Sequence, residues 1–373
     1  MPDITPDITV PDQRAAPGRT LVLAACLMAT FMAAIESTIV STAMPTIVGS
    51  LGGFELFSWV FTIFLLTQAV SIPIYGRLAD MFGRKRVFFF GVGLFLTGSV
   101  LCGFSWSMVP LIAFRALQGF GAGAVQPISA TILGDIYTPA ERAKVQGLVS
   151  GVFGVSAILG PTLGAFLIAK VSWSAVFWVS VPIGFASVLM VGFFLKETAE
   201  PRPRRIDWLG ALLLLIAAGG ATMALVQGGQ LSGIAMTVVL TVTVIATLLL
   251  LLHEARTPEP MLPLELWRHS RVIAVGSMGS FAAGALLMGV TAFLPAYVQG
   301  AMGGSSLAIG IVIAAMSVSW TAGSIVGGRI MVRTTYRFTA VLGTVALVLG
   351  CAILILVPAS RGVGPAGVGA FVI

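Results

Sequence analysis

The sequence predicts an all-α protein that crosses a membrane many times, and three observations carry that expectation. Hydrophobic residues make up 57% of the 373, charged residues only 9%, and mean hydropathy is +1.03. A soluble chain of this length cannot hide so much apolar surface in one core. The apolar residues fall into twelve runs, each close to the ~20 residues that span a bilayer as a helix. The loops between runs alternate between basic and nearly uncharged.

The runs cover residues 20–46, 56–78, 87–106, 108–134, 145–169, 175–195, 208–227, 233–252, 272–298, 306–328, 338–358 and a last one from about 362. Eighteen of the 21 basic residues lie in one alternating set of loops. The other set holds only Lys170 and Arg361, and Arg115 lies inside a span. By the positive-inside rule the N-terminus and the basic loops are cytoplasmic, in a multi-pass protein of the cell membrane. Trp106, Trp173 and Trp208 near span ends fit an interfacial belt. Trp320, mid-span in the tenth run, reads as core packing, with a cavity wall as the other reading.

Residues 1–19 are polar and proline-rich and read as a disordered cytoplasmic tail. The first run carries Glu36, the one acid deep in a span. Between the second and third runs lies Gly76-Arg-Leu-Ala-Asp80-Met-Phe-Gly83-Arg84-Lys85-Arg86-Val87. Basic residues at a helix N-terminus oppose its dipole, so the cluster needs another reason. Cytoplasmic retention is one. The fourth run carries Arg115, with Gln118 one turn on along the same face. A charge mid-membrane is costly and normally meets a cavity or a partner. Outward snorkelling is the competing reading. The fifth run holds Gly147, Gly151, Gly154, Gly160, Pro161 and Gly164, which permit close helix contact and a kink.

An internal repeat is visible. Gly327, Gly328, Arg329 and Ile330 follow the tenth run as Gly76, Arg77 and Leu78 follow the second. Transporter halves are built from such repeats. The expected organisation is a 20–196 six-helix bundle, a 197–271 inserted pair (208–227 and 233–252) with linkers, and a 272–373 partial second bundle. The chain ends inside the twelfth run, so it reads as C-terminally truncated and is expected not to transport alone. Residues 262–271, with Leu264, Leu266 and Trp267, read as a linker.

Several classes are disfavoured. The net charge of +7 reflects cytoplasmic loops rather than nucleic-acid binding. Cys26, Cys102 and Cys351 lie in apolar runs without ligand spacing, and His253 and His269 sit in a polar loop, so no metal is expected. No nucleophile–base pair or phosphate loop suggests an enzyme, and no cofactor is implied. No cleavable signal is evident.

Gly76, Leu78, Asp80, Gly83, Arg84 and Lys85 resemble the loop signature of the major facilitator superfamily, departing from it at Met81. Arg115 with Gln118-Gly119 resembles its fourth-helix signature. Gly147, Gly160, Pro161 and Gly164 resemble the fifth-helix signature of antiporters, with Ser156 and Ala165 replacing two glycines. Residues 35–45 resemble the first-helix motif of the fourteen-helix drug:proton antiporters, with Glu36 for the usual Asp and Ser41 for the usual Asn. Phe177, Trp178, Pro182, Gly184, the 207–210 stretch and the 294–299 stretch agree too. Ser174 and Ser180 depart from the usual Arg and Asn.

The resemblance implies the major facilitator fold, two six-helix halves with an inserted pair, the second half incomplete here. It implies export of amphipathic or cationic small molecules, driven by the proton gradient and no cofactor. An uptake symporter or facilitator of the same fold, and a non-transporting sensor or assembly subunit, are the alternatives. Glu36, Arg115 and Gln118 would handle protons and cargo. Glu36 and Arg115 would face one cavity, ~15 Å and ~10 Å from the outer ends of their helices. Asp80 and Arg84 would form a gating latch, with Asp135 and Glu141 as candidate partners for Arg84.

Overall fold

A backbone in lipid must satisfy its own hydrogen bonds, so nearly every described residue is helical. The computed structural model describes residues 18–197, 206–227, 231–258, 260, 264–300, 302, 306–356 and 363–372. The helices are α1 Arg19–Leu51, α2 Phe57–Phe82, α3 Arg84–Gly103, α4 Met108–Ile136, α5 Pro139–Lys170, α6 Ala175–Trp178 and α7 Ser180–Phe194. There follow α8 Trp208–Gln227, α9 Gly233–Glu254, α10 Leu264–His269, α11 Arg271–Gly300, α12 Ser306–Arg333, α13 Tyr336–Leu356 and α14 Val363–Val372. Among the described residues, nine helical stretches are long and apolar enough to cross a membrane. The polar residues 1–17, Arg202, Arg204, Arg205 and Arg361 lie outside the described residues.

The helix boundaries depart from the apolar runs where polar chemistry takes over. α1 continues past Pro45 to Leu51 and stops at Gly52, whose φ of 71° ends the helix. α5 starts at Pro139, six residues before its apolar run, because Thr138 and Glu141 close a reciprocal capping box and Pro139 fits the first turn. The sixth run is broken into α6 and α7 at Val179. Pro182 has no N–H to give the carbonyl one turn back, which favours a break there. Residues 264–269, read as linker, form the short helix α10.

α4 is the centre of the first group. It packs on α2 and α3, while α1 packs on α5 and α7. These approaches depend on missing side chains. A Cβ on Gly119 would strike the Phe64 backbone and the Thr67 hydroxyl of α2. One on Gly98 of α3 would lie 2.7 Å from the Gln118 backbone. The α4 backbone is therefore set close against two neighbours, and that fixes where Arg115 and Gln118 point.

α5 has two partners. Its Gly160 and Gly164 lie against Thr38, Ile39 and Thr42 of α1. Its other end meets α12, where the Ser150 and Ser324 hydroxyls bond at 2.7 Å and Gly147 faces Ile325. α8 and α9 pair with each other, and α8 also rests on α2. His253 belongs to the last turn of α9 rather than to a loop, and its ring bonds the Asp207 carboxylate at 2.8 Å. The same carboxylate caps Gly210 N at 2.8 Å, tying the start of α8 to the end of α9. Trp320 is 47% exposed on α12 and is not a core residue.

Candidate functional site

Glu36 of α1 and Arg115 of α4 meet inside the first helix group. Arg115 Nη1 donates to Glu36 Oε1 at 2.8 Å, with the side chains 1% and 0% exposed. The sequence leads us to expect two groups facing one cavity without need of contact; the structure instead brings them into contact with neither side chain exposed. They form a closed pair, and Arg115 does not snorkel.

Three more elements complete the shell, with a further residue of α4. α2 supplies the Val60 carbonyl, which accepts from Arg115 Nε at 3.2 Å, and the Phe64 ring, 4.1 Å from the guanidinium carbon. Gln118, one turn along α4, accepts from Arg115 Nη1 at 2.7 Å. Its amide donates to the Ser99 hydroxyl of α3 at 2.6 Å, and the Cys102 thiol approaches its oxygen at 3.9 Å. α7 supplies Ser180, whose hydroxyl donates to Glu36 Oε2 at 3.1 Å. Ser99, Gln118 and Ser180 are fully buried.

The two charges are bound unequally. The guanidinium has two further oxygen acceptors and an aromatic face besides Glu36. The carboxylate has Arg115, the Ser180 hydroxyl and the Gln118 side chain, all donors toward it. In a low-dielectric interior, protonating Glu36 removes the negative partner of a buried cation, a change worth several kcal/mol before relaxation. The pair ties α1 to α4, and through the Ser180 hydroxyl to α7. Among the described residues no group of three His, Cys, Asp or Glu side chains is placed to hold a metal.

A second cluster lies where the basic loops gather. Gly83, with φ of 89°, turns the chain between α2 and α3. Arg84 pairs with Asp135 at the end of α4. Glu141, the other candidate partner, instead binds Arg19 Nη2 at 2.5 Å, and the Arg19 guanidinium stacks 3.9 Å over Tyr137. Arg19 with the Thr138 amide and hydroxyl holds the Glu141 carboxyl down from 4.5 to about 2. The basic start of α3 is explained by Glu197, whose carboxylate accepts from the Arg84 and Lys85 amides. Lys85 Nζ reaches back to the Gly192 and Leu195 carbonyls at 2.6 and 3.1 Å, a cation at the end of α7. Asp80 lies in the last turn of α2, and Gly76 one turn earlier has open space beside it.

Glu36, Arg115 and Gln118 therefore come together, as do Arg84 and Asp135. Gly147, Gly160 and Gly164 do not join either cluster. They are helix contacts, the first to α12 and the others to α1, while Pro161 lies between them on the exposed side of α5. Sequence reasoning missed Ser180, Ser99, Phe64 and Glu197 as participants. Ser180 alone carried a signal, as a departure from an otherwise matching stretch. The side chains of residues 294–296 lie outside the described residues.

A family model described as Major Facilitator Superfamily matches residues 26–373. Multidrug resistance protein 3 of Bacillus subtilis strain 168 is 35% identical over 339 residues, 89% of this chain and 65% of its own length. Multidrug transporter protein MdtP of the same organism is 30% identical over 344 residues, 90% of this chain and 62% of its own. The chain thus spans a little under two thirds of the length of these relatives. The solved structure of the proton:xylose symporter XylE superposes with a TM-score of 0.62 at 12% identity, covering 95% of this chain and 78% of that one. At that identity the likeness is one of fold.

Proposed function

The chain belongs to the major facilitator superfamily, and from that premise we propose that it is a proton-coupled antiporter exporting amphipathic or cationic small molecules. It is a multi-pass membrane protein. Its relatives carry the names multidrug resistance protein and multidrug transporter, which supports efflux. The observation that carries proton coupling is the closed Glu36–Arg115 pair, sealed from solvent across α1 and α4.

In this reading the basic loops and the N-terminus face the cytoplasm. Residues 20–196 and 272–373 belong to the two halves, with 197–271 as the inserted pair and its linkers. A proton arriving from outside neutralises Glu36. Arg115 then keeps only a neutral acceptor on Glu36 beside Val60, Gln118 and Phe64, and the charge–charge tie between α1 and α4 is lost. Cationic cargo and the proton compete for the same carboxylate, so binding one expels the other, and no cofactor takes part. Gly76, Asp80, Gly83, Arg84, Lys85 and Asp135 gate the cytoplasmic face. Gly147, Gly160, Pro161 and Gly164 let α5 follow the change. Two halves rocking about a midplane site is the general scheme.

The test is transport in proteoliposomes with an imposed pH gradient and a fluorescent lipophilic cation. Glu36→Gln should stop the dye's uphill movement, while Glu36→Asp should keep it. Uphill movement by Glu36→Gln with normal proton flux would overturn the reading. Dye counterflow without proton movement in the unaltered protein would favour a facilitator.

A further inference from the structure

The two oxygens of Glu36 are not equivalent. Oε1 faces the Arg115 guanidinium, which has only hydrogens to offer. A proton on Oε1 would point at a cation that cannot accept it. Oε2 faces the Ser180 hydroxyl at 3.1 Å, and a hydroxyl both donates and accepts. We infer that the coupling proton binds Glu36 at Oε2 and that Ser180 is the positioning residue that reverses its hydrogen bond to receive it. This rests on the proton-coupling reading of the same site.

The step is balanced simply. With Glu36 charged, Ser180 donates to Oε2. A proton from bulk water bonds to Oε2, the Ser180 hydrogen rotates away, and the new carboxyl O–H donates to Ser180 Oγ. No heavy-atom bond changes, and Arg115 keeps Oε1 as a neutral carbonyl acceptor.

The groups facing Glu36 from the packed helices narrow the choice to Ser180. α4 offers Arg115, a donor only, and Gln118, whose side chain also reaches Glu36 but has its oxygen held by Arg115 and its amide donating to Ser99. α3 offers Cys102 and Ser99, which contact Gln118. α2 offers the Val60 carbonyl and Phe64, both engaged with Arg115. At α5, Thr38 of α1 bonds the Ser156 carbonyl at 3.2 Å, Gly160 and Gly164 lie against Thr38 and Ile39, and the Leu163, Leu167 and Ile168 side chains pack on the apolar cluster of Ile35 and Ile39. α7 is thereby the element that senses the proton. It ends where Lys85 holds the Gly192 and Leu195 carbonyls, so the sensor helix runs to the basic loop.

Infrared difference spectroscopy of the reconstituted protein, titrated across pH, tests this. The unaltered protein should show a protonated-carboxyl band that Glu36→Gln removes. Ser180→Ala should shift that band to higher frequency, because the carboxylic acid loses its acceptor. Ser180→Thr should leave it in place. Ser187→Ala, which removes another buried hydroxyl of α7, one bonded to the Ala25 carbonyl, should not move it. Should Ser180→Ala fail to fold, Ser180→Cys makes the same comparison, since a thiol is a weaker partner and should give a smaller upward shift. An unmoved band in the Ser180 variants, or an equal shift in Ser187→Ala, overturns the assignment while leaving proton coupling intact. Absence of any band that Glu36→Gln removes overturns the coupling reading and this assignment with it.

Discussion

Glu36 and Arg115, 79 positions apart on α1 and α4, form an ion pair 2.8 Å long that solvent does not reach. The pair is asymmetric: Arg115 would keep two oxygens and the Phe64 face if Glu36 changed, whereas Glu36 would keep only neutral donors, Ser180 and the Gln118 side chain.

Arg115→Ala should therefore be the costlier change. It strands a buried carboxylate and should destabilise by about 3–5 kcal/mol. Glu36→Gln retains an acceptor for Arg115 and should cost less. Adding Glu36→Gln to Arg115→Ala should recover part of the loss. Thermal unfolding in detergent, compared across the three variants, measures this; equal losses in both single variants would contradict the asymmetry.

Gly119→Ala should be poorly tolerated, because its Cβ would meet the Phe64 backbone and force α4 from α2. Overpacking of this kind costs about 1–3 kcal/mol. It should also lengthen the Arg115–Val60 contact and so impair transport. Gly93→Ala on exposed α3 surface meets nothing within 4 Å and should unfold like the unaltered protein.

The Arg84–Asp135 pair is partly exposed, so Asp135→Asn should change stability by less than about 1 kcal/mol. If the pair gates the cycle, the transport rate should fall while expression holds. Rate and melting temperature measured on the same preparation separate the two effects, and an unchanged rate would end the latch proposal.

Glu141 gives a pH dependence with a definite sign. Its folded carboxyl lies at about 2, below its ordinary 4.5, so its bonds to Arg19 and Thr138 stabilise the fold fully above 4.5. That contribution fades as pH falls from 4.5 towards 2. Glu141→Gln should melt lower than the unaltered protein at pH 7, and the gap should shrink by pH 3. A gap constant across that range would count against the pair.

Much of this was legible in the residues. The helices follow the apolar runs because lipid leaves the backbone no other partner. Glu36 and Arg115 stood out as charges where charge is expensive. Their contact was not legible, since it depends on how closely α4 approaches α2, which Gly119 and Phe64 decide together. Val60 contributes a backbone carbonyl and so has no side-chain signature. Ser99 and Ser180 are small polar residues of a kind common in membrane helices. The basic start of α3 looked unfavourable because Glu197, 113 positions away from Arg84, could not be seen to cap it. The run near Pro139 was cut short because its capping residues are polar, although Thr138 and Glu141 have the spacing of a helix start.

The double attachment of α5 makes it a lever. Its fulcrum is the Ser150–Ser324 contact with α12, where small side chains allow rolling at little steric cost. Its load is α1, carried at Gly160 ten residues along, an arm of about 15 Å. A tilt of about 4° at the fulcrum displaces that end by roughly 1 Å for an arm of this length. Gly160 touches Thr38, two residues from Glu36, and a shift of that size is enough to spoil a 2.8 Å bond.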